Sequence, residues 1–207
     1  MVTPVARRRP WKLARETVTL DRLSGGRLTL GVGLGYPPDA DFALLGEDPD
    51  ERVRAAKLDE GLELLTRLWS GETVDFEGSQ FRVRDTRFLP TPVQVPRIPI
   101  WVGGMWPNRA PFRRAAPWDG VVPIKVTAEG EPFLLAPEEF AEALAYVAEH
   151  RRSAEPFDAV ASGVAGGDHA AVAPFEEAGA TWWLESDEGE PGWEALLLER
   201  VRAGPPR

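Results

Sequence analysis

Two stretches of this sequence carry residues whose type and spacing suit ligand chemistry. The first is residues 20–36, LDRLSGGRLTLGVGLGY, where Gly31, Gly33 and Gly35 alternate with apolar residues and Tyr36 follows. Backbone bared at alternate positions of a strand lets a flat ring or an anion approach closely, and it equally serves close packing of a buried strand. The second is IPIWVGG, a buried strand that runs into Gly103 and Gly104, with Met105, Trp106 and Pro107 in the loop beyond. Proton-transfer chemistry has few carriers. His150 falls at a helix end, where a solvent-facing cap is its ordinary role, and His169 follows Gly166, Gly167 and Asp168 at a helix start after a strand. Asp119 and Asp168 are possible acids for which the sequence pattern names no catalytic partner. There is no nucleophile–base pair, no metal-ligand spacing and no Walker-type phosphate loop.

Composition narrows the classes further. The chain has 207 residues, 43% hydrophobic and 28% charged, enough for one domain with a sizeable core. Its formal charge of −9 argues against a nucleic-acid groove or an anionic membrane surface as the main partner. With no cysteine there is no disulfide frame and no thiolate chemistry, which fits a reducing compartment and a cytoplasmic location. No apolar run approaches the ~20 residues of a membrane span, and the opening MVTPVARRRP lacks the apolar core of a secretion signal. The eight tryptophans read as core or pocket wall; Trp101, Trp106, Trp118, Trp182 and Trp183 could line an apolar pocket for a ring.

The elements that must position these residues alternate in type. Val2 to Val5 is a fragment of strand, and Pro10 opens a helix that stops at Gly25 and Gly26. A strand over 28–34 follows, then a loop with Pro37, Pro38 and Phe42. Asp48, Pro49 and Glu51 give a cap, a first-turn proline and an acid, starting a helix over 49–70 with Leu58, Leu62, Leu65 and Trp69 on one stripe. Residues 73–83, TVDFEGSQFRV, read as a β-hairpin around Glu77 and Gly78, and the prolines of 88–99 make an extended connector. Strands at 98–104, 119–124, 157–164 and 180–185 then alternate with helices over 108–116, from Pro137 to about Arg152, 168–178 and 193–201. Such alternation means parallel strands covered by helices with right-handed crossovers. Part of a βα-barrel and an open doubly wound sheet both satisfy it.

The residues carry a resemblance beyond the periodicity. LDRLSGGRLTLGVGLGY, ERVRAAKLDEGLELLTRLWSGETVDFEGSQFRV, PTPVQVPRIPIWVGG and DGVVPI, in this order, resemble the bacterial luciferase-like flavin monooxygenase family, which includes deazaflavin-dependent oxidoreductases. The resemblance runs from about Pro10 to about Glu185. It implies an α/β fold, an incomplete TIM (β/α)8-type barrel with a β-hairpin insertion, formed as one domain over residues 1–207. Strand 28–34 resembles the family's fourth strand, so about the first three βα units are missing before Met1. Barrels remove strand edges by closing, so the strands over 28–34 and 180–185 each need a cover: residues 1–9, a helix, or a second copy in a homodimer.

The resemblance also implies a site. The family holds FMN or the deazaflavin coenzyme F420 at the C-terminal ends of its strands. Gly33, Gly35 and Tyr36 would lie beside the ring or phosphate, and Gly103, Gly104, Met105 and Trp106 near the phosphate, where backbone donors hold an anion. The activity implied is a flavin- or deazaflavin-dependent oxidoreductase or monooxygenase, impaired or lost if the missing units are essential. The alternative is a non-catalytic flavin-binding or partner-binding remnant of a barrel. Arg27, Asp59 and Glu60 match family positions and read as structural, and the family's catalytic residues lie on strands this chain lacks.

Overall fold

Parallel strands separated by helices account for most of the chain. The structure is a computed structural model and describes residues 2–126, 132–133, 135–186 and 192–204. Met1 and the 205–207 end of the tail lie outside the described residues. The chain divides into two compact units, 1–102 and 103–207.

In the first unit, strand β1 (Thr3–Pro4) runs parallel to β2 (Leu30–Gly33), with Thr3 opposite Val32 and Pro4 opposite Gly33. The opening segment therefore covers the edge of β2, one of the three covers expected. Proline suits that outer position because it has no N–H to offer a ladder. On its other side β2 pairs in parallel with β5 (Ile100–Met105), Leu30 opposite Ile100 and Val32 opposite Val102. Helix α1 (Pro10–Ser24) crosses between β1 and β2 and ends on the left-handed Gly25. Its inner face, Leu13, Ala14 and Val18, meets α3 (Glu51–Trp69), whose Leu58, Leu62, Leu65, Leu68 and Trp69 are buried. Trp69 Nε1 donates to Thr17 Oγ1 at 3.2 Å, so the buried hydroxyl and indole satisfy each other. Asp21 is fully buried, and its carboxylate accepts from Val93 N and Gln94 Nε2, each at 2.7 Å. That contact fastens the proline-rich connector to α1.

Two local expectations shift. The cap of α3 is Asp50, whose Oδ1 accepts from Arg52 N at 2.9 Å and Val53 N at 3.0 Å, not Asp48. Asp48 instead accepts from Asp50 N at 2.9 Å, a turn that delivers the chain to its cap. The hairpin is longer than 73–83, with β3 (Thr73–Glu77) pairing β4 (Arg82–Arg87). Glu60 sets its turn by accepting from the N–H groups of Ser79, Gln80 and Phe81. The loop after β2 also holds a short helix α2 (Pro38–Asp41) and a 3-10 turn at Ala43–Leu45.

In the second unit, β6 (Gly120–Val126) pairs in parallel with β8 (Asp158–Gly163), and β8 with β9 (Trp182–Glu185). The two-residue β7 (Pro132–Phe133) adds antiparallel to β6. Helices α4 (Arg109–Ala115), α5 (Pro137–His150), α6 (His169–Glu177) and α7 (Trp193–Ala203) alternate with these strands. Phe112, Val121, Phe140, Ala143, Val147 and Val160 form the core. Arg151, beyond the end of α5, donates Nη1 to Ala116 O at 3.0 Å and Trp118 O at 2.9 Å, and Nη2 to Glu155 O at 2.7 Å. Its backbone N–H meanwhile caps α5 by donating to Val147 O at 3.0 Å, so one residue closes its helix and ties together the backbone on either side of β6.

Candidate functional site

One glycine stretch ends β2 in the first unit, and the other begins the second unit at the end of β5. Gly33 is buried as the last residue of β2, Gly35 is half-buried, and Tyr36 is exposed. Arg54, from the first turns of α3, determines the shape of this loop. Its Nη1 donates to Gly35 O at 2.9 Å and Leu34 O at 3.3 Å, and its Nε to Pro49 O at 3.0 Å. The guanidinium lies 4.9 Å from the centroid of the buried Phe42 ring. In a trans peptide the N–H points opposite to the carbonyl before it. By gathering the carbonyls of Leu34 and Gly35, Arg54 turns the N–H groups of Gly35 and Tyr36 to the other side of the loop.

The glycines at this end answer to packing as well. Gly35 has φ +83°, and a Cβ there would lie 2.8 Å from the Phe42 ring and 2.9 Å from Pro4. Gly33 has ordinary room, its nearest neighbour being Val2 at 3.5 Å.

In the second unit Gly103 is half-buried, Gly104 buried and Met105 half-buried at the end of β5. A Cβ on Gly104 would lie 2.4 Å from Pro111 Cβ, so α4 seats directly on this backbone. Trp106 is buried, edge-on to Phe112 with centroids 5.1 Å apart, and the Arg109 guanidinium lies 4.3 Å from its ring. Of the other tryptophans, Trp101 is buried, while Trp182 is exposed and donates Nε1 to Asp158 Oδ1 at 3.0 Å. His169 Nε2 lies 3.3 Å from Glu176 Oε2 on the half-exposed side of α6, and His150 Nδ1 stands 2.9 Å from Tyr146 O. Arg27 is exposed, its Nε donating to Ser24 O at 2.9 Å across the turn after α1.

One charged group at a strand end escapes sequence reasoning. Glu185, the last residue of β9, accepts from Gly166 N at 2.9 Å, from Ala165 N at 3.1 Å and from Trp183 Nε1 at 2.9 Å, with Arg200 Nη1 3.0 Å away. Burial pushes its carboxyl upward, but these donors and the Arg200 charge outweigh burial and hold it below the usual glutamate value. The carboxylate thereby occupies the bare N–H groups of the glycine loop after β8. An acid ending a strand, with a Gly-Gly pair after the neighbouring strand, is the signal that could have found it. Glu60 follows the same balance: burial raises it, and the hydrogen bonds from Ser79, Gln80 and Phe81 bring it below the usual value. Among the described residues no three His, Asp or Glu side chains group as metal ligands, and no helix is long and apolar enough to cross a membrane.

Parallel βα units with glycines at the strand ends define an α/β protein, and the comparisons choose between a barrel portion and an open sheet. The luciferase-like monooxygenase family matches residues 1–183, and the chain belongs to that family. An F420-dependent glucose-6-phosphate dehydrogenase of Microbacterium testaceum is 33% identical over 107 residues, 52% of this chain and 31% of that relative. A monooxygenase from Streptomyces bottropensis superposes with a TM-score of 0.63 at 28% identity, over 79% of this chain and 47% of that one. The coenzyme F420 dependent tetrahydromethanopterin reductase of Methanopyrus kandleri gives the same TM-score of 0.63 at 23% identity, over 79% and 48%. This chain thus spans less than half the length of these relatives, and its fold is the corresponding part of a (β/α)8-type barrel.

Proposed function

We propose that this chain serves flavin- or deazaflavin-dependent oxidoreduction, with FMN or F420 as cofactor. The observation that carries the reading is the Arg54 arrangement, in a chain whose family relatives include enzymes dependent on F420. It presents two N–H groups, of Gly35 and Tyr36, on one side of a loop at the C-terminal end of a parallel strand. That is a suitable surface for a phosphate or for the polar edge of a ring. Phe42 and Pro4 fill the space where a Gly35 Cβ would stand, so a cofactor would not approach from that side. Separately, Gly103, Gly104, Met105 and Trp106 offer backbone at the end of β5, with the Gly104 side toward α4 closed by Pro111. When bound, the ring supplies hydride transfer and, for a flavin, oxygen chemistry. The protein's share is to orient it and exclude water.

A second reading is favoured by those same fillings. Gly35 and Gly104 are required by packing on the chain itself, as in a barrel portion that binds no cofactor and pairs with another chain. The partner favoured is a second copy forming a homodimer, because β9 ends the strand order of the second unit. Titration with FMN and with F420, followed by absorbance and fluorescence, separates the readings. Saturable binding of either, weakened about tenfold or more by Arg54→Met and partly restored by Arg54→Lys, supports the first. Folded protein that binds neither cofactor overturns it.

A further inference from the structure

The first unit carries a cleft of about 420 Å³ lined by Arg7, Arg8, Arg9 and Lys12, with Leu13, Glu16, Leu45 and Glu47 completing the wall. Its size falls within the ~300–1,000 Å³ usual for small-molecule sites. Its charge runs against the rest of the molecule. Four cations face two carboxylates here, in a chain whose formal charge is −9. Asp41 beside Arg7 reduces the excess but still leaves the cations in the majority.

Topology places the cleft where such folds bind ligands. Arg7–Arg9 follow the C-terminal end of β1, and Leu45 and Glu47 belong to the loop after the parallel β2. Lys12 lies in the first turn of α1, a turn without an acidic residue or a side-chain cap, so the positive end of the helix dipole adds to the cations.

The cations are held in two ways. Arg7 is fixed: Nη1 donates to Asp41 O at 3.0 Å, and the guanidinium lies 5.5 Å from the Phe42 centroid. Arg8 and Lys12 instead converge on one carboxylate, Glu16, each at 3.5 Å, in long and half-exposed contacts. Pairs of that kind contribute little and exchange readily. A dianionic oxyanion offers Arg8 shorter, charge-assisted bonds and more charge than Glu16 does.

We propose that this cleft binds a phosphate monoester or diphosphate group, with Arg8 and Lys12 released from Glu16 to hold it and Arg7 and Arg9 framing it. The group can belong to the phosphorylated side chain of a cofactor or to a separate phosphorylated small molecule.

The test uses inorganic pyrophosphate and the full chain without cofactor, so it stands apart from the cofactor reading. Calorimetric titration should show saturable binding of one pyrophosphate that weakens as salt rises. The double substitution Arg8→Ala and Lys12→Ala should weaken it about tenfold or more, while Glu16→Gln, which frees both cations, should tighten it about threefold or more. All three side chains are at least 41% exposed, and circular dichroism melts of each variant are the check that it folds. Absence of saturable binding up to about 10 mM, or equal affinity in wild type and double variant, overturns the proposal. The two sources separate by comparing FMN with riboflavin and by titrating ribose 5-phosphate. Loss of FMN but not riboflavin affinity in the double variant assigns the phosphate to the cofactor. Loss of ribose 5-phosphate affinity alone assigns it to a separate ligand. Either loss supports the site.

Discussion

Arg54 shows how a single residue can shape a loop it does not belong to. It is buried, yet it stands one helical turn before Leu58 on the apolar stripe of α3. A cation on such a stripe was the visible sign that something beneath it needed donors, and three backbone carbonyls are what it serves. Replacing it leaves those carbonyls without their donor, at about 1–3 kcal/mol for each buried group. Glu60 and Glu185 were less legible, because their donors are backbone N–H groups of distant loops that no sequence pattern names. Their carboxylates are stabilised below the ordinary value, so the stability they contribute is complete above that value and lost as pH falls through the lower folded one. Glu60→Gln should therefore destabilise the protein by about 1–3 kcal/mol at neutral pH. In thermal melts at descending pH, the gap from wild type should close below the ordinary glutamate range. A gap constant across that range would contradict the assigned role.

Elements are legible where periodicity and punctuation agree, and less so where tertiary contacts set the boundary. Helix α3 was anticipated within two residues at each end because its apolar stripe and Gly71 mark it. Its cap is Asp50 where the sequence points to Asp48, since either aspartate satisfies the pattern and only geometry chooses. Asp50→Ala should cost about 1 kcal/mol and Asp48→Ala less, as measured by denaturant unfolding. The far strand of the hairpin was cut short at Val83 because RVRDTR is polar on both faces, and its pairing with β3 decides its length. The glycines at the ends of β2 and β5 are legible as bare backbone, but not the fact that Phe42, Pro4 and Pro111 fill one side of it. Gly104→Ala should accordingly destabilise the protein by about 1–3 kcal/mol, because α4 must move to admit the methyl group. Unchanged melting would mean that α4 is free to shift.

At the scale of the molecule, the order of βα units made the fold class legible but left a barrel portion and an open sheet equally possible. The family match over residues 1–183 and the superpositions with TM-scores of 0.63 resolve that choice. The first unit covers the edge of β2 with its own residues Thr3 and Pro4, while β9 ends the strand order of the second unit. If a second copy covers β9, light scattering at micromolar concentration should report a dimer, and a monomer would remove that proposal. The central claim is cofactor binding through the loop that Arg54 shapes. Its most direct measurement is an equilibrium titration of the folded full chain with FMN and F420, beside Arg54→Met under the same conditions. Saturable one-to-one binding of one cofactor, weakened about tenfold or more in the variant, is the predicted result. Binding of neither at about millimolar concentration, or equal binding by wild type and variant, would contradict it.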